Sequence, residues 1–267
     1  MKQFKASDFG FVICAYKESP YLEECICSLK RQDIQVKISL ATSTPNEHIE
    51  SLARKYQLEY FINTEKSGIA EDWNFALTVT DKKVVTIAHQ DDVYKPDYVK
   101  EILKNINKQD NVLIAFTNYG ELRNGEYVEK NKLLNTKRFM LIPLKNKSLQ
   151  KMCFVRRRIL SFGSAICCPS VTFIKENLPQ PIFHSGFRSN VDWQAWEIIS
   201  KMKGAFVYCD NILMYHRIHQ ESATTEIIAD NDRAKEDYEM FCKFWPRWIA
   251  GILGFFYKKG EDSNLLK

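Results

Sequence analysis

Nothing in this 267-residue chain approaches the roughly 18 consecutive apolar residues that a membrane-crossing helix needs, so no segment is expected to span a bilayer. Met1 to Asp8 is polar, and no secretory leader is expected. Glycine is scarce at 10 residues, and none falls in Tyr16-Lys-Glu-Ser-Pro20, where a glycine-rich phosphate cradle would follow the first strand. The eight cysteines are scattered. Cys25-Ile26-Cys27 and Cys167-Cys168 lack zinc-ligand spacing and have no answering Cys or His pair, so buried free thiols of a reducing cytosol are expected. The net charge of +5 is too thin for a nucleic-acid footprint, though it suits small anions or an anionic membrane surface. Low-complexity linkers and internal repeats are missing too.

What is present is alternation. With 45% hydrophobic residues the chain can bury one sizeable core. Phe11-Val-Ile-Cys-Ala15 is a continuous apolar run, as a strand covered on both faces should be. Ser19 and Pro20 then open a helix with an inward stripe of Leu22, Cys25, Ile26 and Leu29. The plan repeats. Val36 to Ala41 reads as a strand, and Thr44-Pro45-Asn46-Glu47 as a capping box for a helix to Tyr56. Glu59 to Ile62 is a strand, Ile69 to Leu77 a helix, Val84 to Ala88 a strand, Pro96 to Ile106 a helix and Val112 to Phe116 a strand. Alternation of this kind predicts an α/β fold, a mostly parallel sheet flanked by helices.

Beyond residue 118 the rhythm stops. Asn124-Gly125 signals a hairpin turn, residues 128–160 are basic with Arg156-Arg157-Arg158 at their densest, and a strand is expected near Val171. A helix over Val191 to Lys201, strand-like runs Ala205 to Cys209 and Ile212 to Ile218, and helices to the end complete the chain. Trp245 to Tyr257 is rich in aromatics and edged by Arg247, Lys258 and Lys259. Two roles fit it: an interfacial membrane anchor, or an aromatic helix packed on the domain.

Ligands of open α/β sheets sit at the carboxyl ends of the strands, and polar breaks fall there at Tyr16-Lys-Glu, Thr42-Ser-Thr, Asn63-Thr-Glu and His89-Gln-Asp-Asp92. The last is the sharpest. Adjacent carboxylates after a buried strand repel unless a cation or hydrogen bonds offset them, and a divalent metal on a diphosphate is one resolution. A solvated acidic turn before the next helix is the other.

Five segments then resemble family 2 glycosyltransferases, the first three in the right order and spacing over about residues 9–118. Phe11 to Leu29 is similar to that family's opening strand and helix, and Gly68-Ile-Ala-Glu-Asp-Trp-Asn-Phe-Ala-Leu77 to its "G…N-x-A" helix. His89-Gln-Asp-Asp-Val-Tyr-Lys-Pro96 resembles its "D-x-D-D…P" metal motif, with His89 where the family has its first aspartate. The acid usual after the second strand is replaced by Ala41-Thr-Ser-Thr44. In the second half, Asn190-Val-Asp-Trp-Gln-Ala-Trp196 is similar to a "D-W…W" segment and Tyr215 to Thr225 to a "Y-R-x-H-x-x-S-x-T" loop.

The resemblance implies a GT-A, Rossmann-like catalytic domain over residues 1–225, its nucleotide-sugar half at 9–118 and its acceptor half at 119–225. A helical C-terminal extension follows over 226–267. It implies an inverting transfer from a nucleotide-activated, commonly uridine-linked sugar to a glycan or lipid-linked glycan, with Mn²⁺ or Mg²⁺ as cofactor. Such an enzyme would sit in the cytoplasm or at the inner face of the membrane. By alignment Asp91 is a metal ligand, Asp92 a second ligand or a support, and His219 a third candidate. Asp192 is the candidate base. Ala15, Tyr16, Glu18, Thr42, Gly68, Asp72, Asn74, His89, Gln90 and Arg217 are expected around the donor, with Ser222 and Thr224 in the same loop as Arg217. Trp193, Arg156 and Arg157 are expected at the acceptor. His216 has the structural role. A nucleotidyltransferase is disfavoured by the absent glycine loop, and a degenerate glycan-binding partner subunit is the remaining alternative.

Overall fold

The computed structural model describes residues 3–65, 68–219 and 232–261. Its first half follows the expected alternation: β1 (Phe9–Ala15), α1 (Leu22–Lys30), β2 (Lys37–Thr42), α2 (Glu47–Lys55), β3 (Glu59–Ile62), α3 (Ile69–Thr78) and β4 (Val84–His89). The strands lie in the order β3-β2-β1-β4, all parallel, with Ile13 of β1 opposite Leu40 on one side and Ala88 on the other. β1 and β4 are apolar throughout because both their faces are covered, whereas edge strand β3 is part-exposed. The α1 start is a correction: the helix begins at Leu22 with Tyr21 at its cap position and no side-chain cap, and Ser19 Oγ accepts only the Tyr21 N–H, at 3.3 Å, in the turn before it. The α2 cap is a correction. Asn46, not Thr44, accepts the Ile49 N–H at 2.9 Å, while the Thr44 hydroxyl takes the Lys17 N–H at 2.6 Å.

The second half weaves back into the same sheet. β5 (Val93–Tyr94), α4 (Tyr98–Ile106), β6 (Val112–Arg123), β7 (Glu126–Val128), α5 (Lys132–Leu141), α6 (Cys153–Leu160), β8 (Val171–Ile174), α7 (Val191–Ser200), β9 (Ala205–Ile218), α8 (Asp232–Cys242) and α9 (Arg247–Glu261) follow in order. β8 slots antiparallel between β4 and β6, and β9 runs parallel along the whole of β6. The sheet is therefore mixed beyond β4. The two runs expected around Asp210 are one strand, with the irregularity opposite Thr117 and Asn118. The hairpin holds, with Asn124 at φ 50° and Gly125 at φ 84°, as a tight β6–β7 turn requires.

Two apolar layers sandwich the sheet. α1, α2 and α4 close one face through Leu22, Ile26, Ile49, Val99 and Ile102. α3, α6, α7 and α8 close the other through Leu77, Leu160, Trp196, Ile199 and Phe241. Trp193 and Trp196 are both fully buried, so truncating either should cost about 3–5 kcal/mol. All eight cysteines are free thiols, and burial pushes Cys14, Cys25, Cys167 and Cys168 well above the ordinary thiol range.

Candidate active site

β4 ends at His89 and the chain turns at once, the Asp92 N–H donating to the His89 carbonyl at 3.2 Å. Two-residue β5 then pairs with the end of β9, Val93 opposite Tyr215. That pairing carries the acidic turn to His216 and His219, more than 120 residues away in sequence. His219 Nε2 meets Asp91 Oδ2 at 3.0 Å. Asp92 lies behind, fully buried, with Oδ1 accepting from His216 Nδ1 and from the Arg217 backbone N–H, both at 2.9 Å. Its Oδ2 has no hydrogen-bond partner among the described residues.

Charge follows geometry. Burial alone would raise the Asp91 carboxyl, but the His219 hydrogen bond and nearby imidazoles hold it below the usual carboxylate range. Burial also opposes a charged His216, yet the Asp92 carboxylate outweighs it and pushes His216 up to about 9. His89 goes the other way: burial lowers it, and the two aspartates offset only part of that. His89 is thus a neutral ring, stacked on Trp73 at 5.2 Å, where the resembling family carries an acid.

Several donor-side expectations fall at the same strand ends. Ala15 closes β1, and Tyr16 and Gln90 exchange hydrogen bonds, Tyr16 N–H to Gln90 Oε1 at 3.0 Å and Gln90 Nε2 to Tyr16 O at 2.9 Å. Thr42 ends β2 with its hydroxyl accepting the Thr44 N–H at 3.0 Å. Asp72 on α3 ties two strand ends together, accepting from Asn63 Nδ2 at 3.0 Å and Ser43 Oγ at 2.8 Å. Gly68 precedes that helix, and Glu18 is exposed beside it all.

Other expected side chains are held by their neighbours. Asn74 spends its whole amide on the backbone of Ile182 and Phe183, donating at 2.7 Å and accepting at 3.1 and 3.0 Å. The Arg217 guanidinium is fixed on the Asp91 carbonyl at 2.9 Å, the Glu24 carboxylate and the Tyr21 ring at 4.2 Å, so it braces the acidic turn. Arg156 is buried against the Gly204 and Met202 carbonyls and the Phe206 ring. Arg157 bonds Glu197 Oε1 at 2.7 Å and the Lys243 carbonyl at 3.0 Å. Trp193 is core, its Nε1–H on the Leu160 carbonyl at 3.0 Å. In each case a neighbouring carbonyl or carboxylate claims the group. Ser222 and Thr224 lie outside the described residues.

Asp192 stands in the first turn of α7, its carboxylate accepting the Trp193 N–H at 2.6 Å. Burial raises its carboxyl to about 6, against the pull of that N–H and of Lys137. The turn that presents it is held from α8: Glu236 accepts the backbone N–H groups of Arg188 at 2.6 Å, Ser189 at 2.9 Å and Asn190 at 3.0 Å. Asn190 Nδ2 also donates to buried Asp237 at 2.7 Å. Both Asp192 and Asp92 add to the burial that raises the Cys167 and Cys168 thiols.

Lys137 was not among the expected residues. From α5 its ammonium donates to the Tyr119 hydroxyl at 2.9 Å, and the Tyr119 ring meets that of His216 at 6.5 Å. It is the nearest lysine charge acting on Asp192. Its only sequence signal was membership of the basic stretch.

A divalent cation fits this corner in a limited sense. Among the described residues no three His, Cys, Asp or Glu side chains form a cage. Magnesium-type sites, however, take one or two protein ligands and complete their shell with water and substrate phosphates. Asp91 and His219, in contact and partly exposed, are such a pair, while Asp92 gives Oδ1 to His216 and Arg217 and keeps a buried Oδ2 without a hydrogen-bond partner among the described residues.

The chain belongs to glycosyl transferase family 2, whose profile matches residues 11–174. An uncharacterized glycosyltransferase of Rickettsia bellii is 24% identical over 258 residues, covering 90% of this chain; the chain spans 35% of that relative's length. Among solved structures, S. aureus TarS 1-349 in complex with UDP-GlcNAc matches 96% of this chain and 72% of its own at TM-score 0.62 and 14% identity. The mannosyltransferase PcManGT of Pyrobaculum calidifontis, in complex with GDP-Man and Mn²⁺, matches 95% and 69% at TM-score 0.61 and 13% identity. The fold is GT-A.

Proposed function

We propose that the chain is a cytoplasmic, inverting glycosyltransferase, moving a sugar from a nucleoside-diphosphate donor to a hydroxyl of a glycan or lipid-linked glycan. A uridine diphosphate donor and a role in bacterial surface polysaccharide synthesis are the readings that the family resemblance favours. The observation that carries the proposal is the Asp91–His219 contact at the junction of β4, β5 and β9.

Asp91 and His219 would hold Mn²⁺ or Mg²⁺ with the donor diphosphate, and the cation would neutralise charge on the leaving group. Asp92, His216 and Arg217 support that pair from behind. Tyr16, Gln90, Thr42, Asp72 and the His89–Trp73 stack line the donor side. Asp192 accepts the proton of the acceptor hydroxyl as its oxygen attacks the anomeric carbon. The bond from that carbon to the diphosphate oxygen breaks with its electron pair staying on the nucleotide, so one displacement inverts the centre.

The test is release of nucleoside diphosphate from a panel of nucleotide sugars with Mn²⁺, Mg²⁺ or chelator, comparing wild type with Asp91→Ala. Metal-dependent release from one donor, lowered about 100-fold or more in the variant, is expected. No release, together with no metal-dependent nucleotide binding by calorimetry, would replace the enzyme with a degenerate binding subunit.

A further inference from the structure

The aromatic segment at the end of the chain has an unused face. α9 is apolar all round: Ala250, Leu253 and Tyr257 pack inward, while Trp248, Ile252, Phe255 and Phe256 point out, 50 to 70% exposed. The inward seat is specific. Tyr257 meets Trp193 and Phe241 at ring distances of 5.9 and 5.5 Å and lies over Gly163, where an added Cβ would come within 2.5 Å of its ring. Just before the helix, Trp245 donates to the Ser161 carbonyl at 2.7 Å and touches Phe162 at 5.5 Å. Arg158 lies over Trp245 at 4.5 Å and Phe154 at 5.4 Å, which joins the exposed residues of α6 to those of α9. Met152, Phe154 and Phe162 extend the patch. Seven of the thirteen large exposed hydrophobic side chains of the described residues therefore belong to α6, α9 and their flanks.

The sequence around these helices is basic. Arg156, Lys137 and Lys175 are spent inside the fold and Arg157 pairs with Glu197, while Arg158, Lys243 and Arg247 stand by the exposed residues. Residues 130–175 hold eleven Lys and Arg and residues 240–260 four more, and neither stretch contains a carboxylate. Fifteen of the 38 basic residues and none of the 33 acidic ones leave the rest of the chain at a net −10, against +5 overall. A second copy of the same face would meet like charge. No helix of the described residues is long and apolar enough to cross a membrane, and α9 has 15 residues.

We infer that the face formed by α6 and α9 docks on an anionic phospholipid surface, with Trp248, Ile252, Phe255 and Phe256 entering the interface and the surrounding cations meeting the headgroups. Docking goes beyond the catalytic reading and does not depend on it.

The experiment is flotation of the full chain with vesicles of phosphatidylcholine, with and without phosphatidylglycerol. The comparison variant is the triple substitution Trp248→Ser, Ile252→Asn, Phe255→Ser, which leaves the inward residues intact. Binding to the anionic vesicles, weakened by salt and lowered about tenfold or more in the variant at unchanged melting temperature, is expected. Asp192→Asn should float like wild type, which separates a failure of docking from a failure of the catalytic reading. No flotation, or equal flotation with both vesicle types, would overturn the proposal. So would self-association that the triple substitution abolishes, which would make a second copy the occupant.

Discussion

Replacing Asp192 by asparagine should remove activity and raise stability together. Burial moves this carboxyl from 3.8 to about 6, which costs the folded state about 3 kcal/mol at neutral pH. The cost is absent below pH 3.8, grows as the pH rises and is complete above about 6. Asparagine keeps the shape without the charge, so the variant should melt several degrees higher at pH 8, at roughly 2–4 °C per kcal/mol, and the gain should shrink towards pH 5. Transfer should fall by about 100-fold to 10,000-fold, the contribution of a positioned base. In wild type kcat/KM should decline tenfold per pH unit below about 6, because only the carboxylate can take the proton. The assay is acceptor-dependent product formation across pH 5 to 9, with melting curves on the same samples. If Asp192 only terminates α7, asparagine, an equally good cap, leaves both activity and melting temperature unchanged. That pair of results would refute the assignment.

Three further outcomes follow from the same geometry. Lys137→Met removes a charge that lowers the Asp192 carboxyl, so the acidic limb of the pH profile should move to higher pH, and Lys137→Arg should restore it. Arg156→Ala leaves the Gly204 and Met202 carbonyls unpaired in the core and should cost about 3–5 kcal/mol by denaturant unfolding, whereas Glu18→Ala, exposed, should cost under about 0.5 kcal/mol. His219→Ala should weaken Mn²⁺-dependent nucleotide binding by calorimetry while metal-free binding changes little.

The first half of the fold was legible because β1 and β4 are doubly buried apolar runs ended by polar breaks, and α1 and α2 carry an inward stripe and dipole-matched charges. The second half was not, because β8 and β9 join the sheet out of sequence order, and nothing local says which strands they pair with. Within the site, the acidic turn could be found from two adjacent carboxylates after β4. Its meeting with His219 had only the resemblance to speak for it. The arginines were misread for a physical reason. A guanidinium that holds backbone carbonyls, as Arg156 does, has the same sequence signature as one that awaits a phosphate. Lys137 was hidden among nine other basic residues of the stretch 128–160, and only the docking of α5 on β6 singles it out.

Glu236 gives the site a schedule. The three N–H groups that it gathers stand immediately before α7, so the loop presenting Asp192 is tied to a residue made more than forty positions later. Trp193 and Trp196 can seat α7 on the sheet before α8 is made, but the three N–H groups ahead of it gain their common acceptor only when α8 has emerged and docked. On the proposed reading, with Asp192 as the base, a chain that stops short of α8 would present that residue on a loop without its anchor.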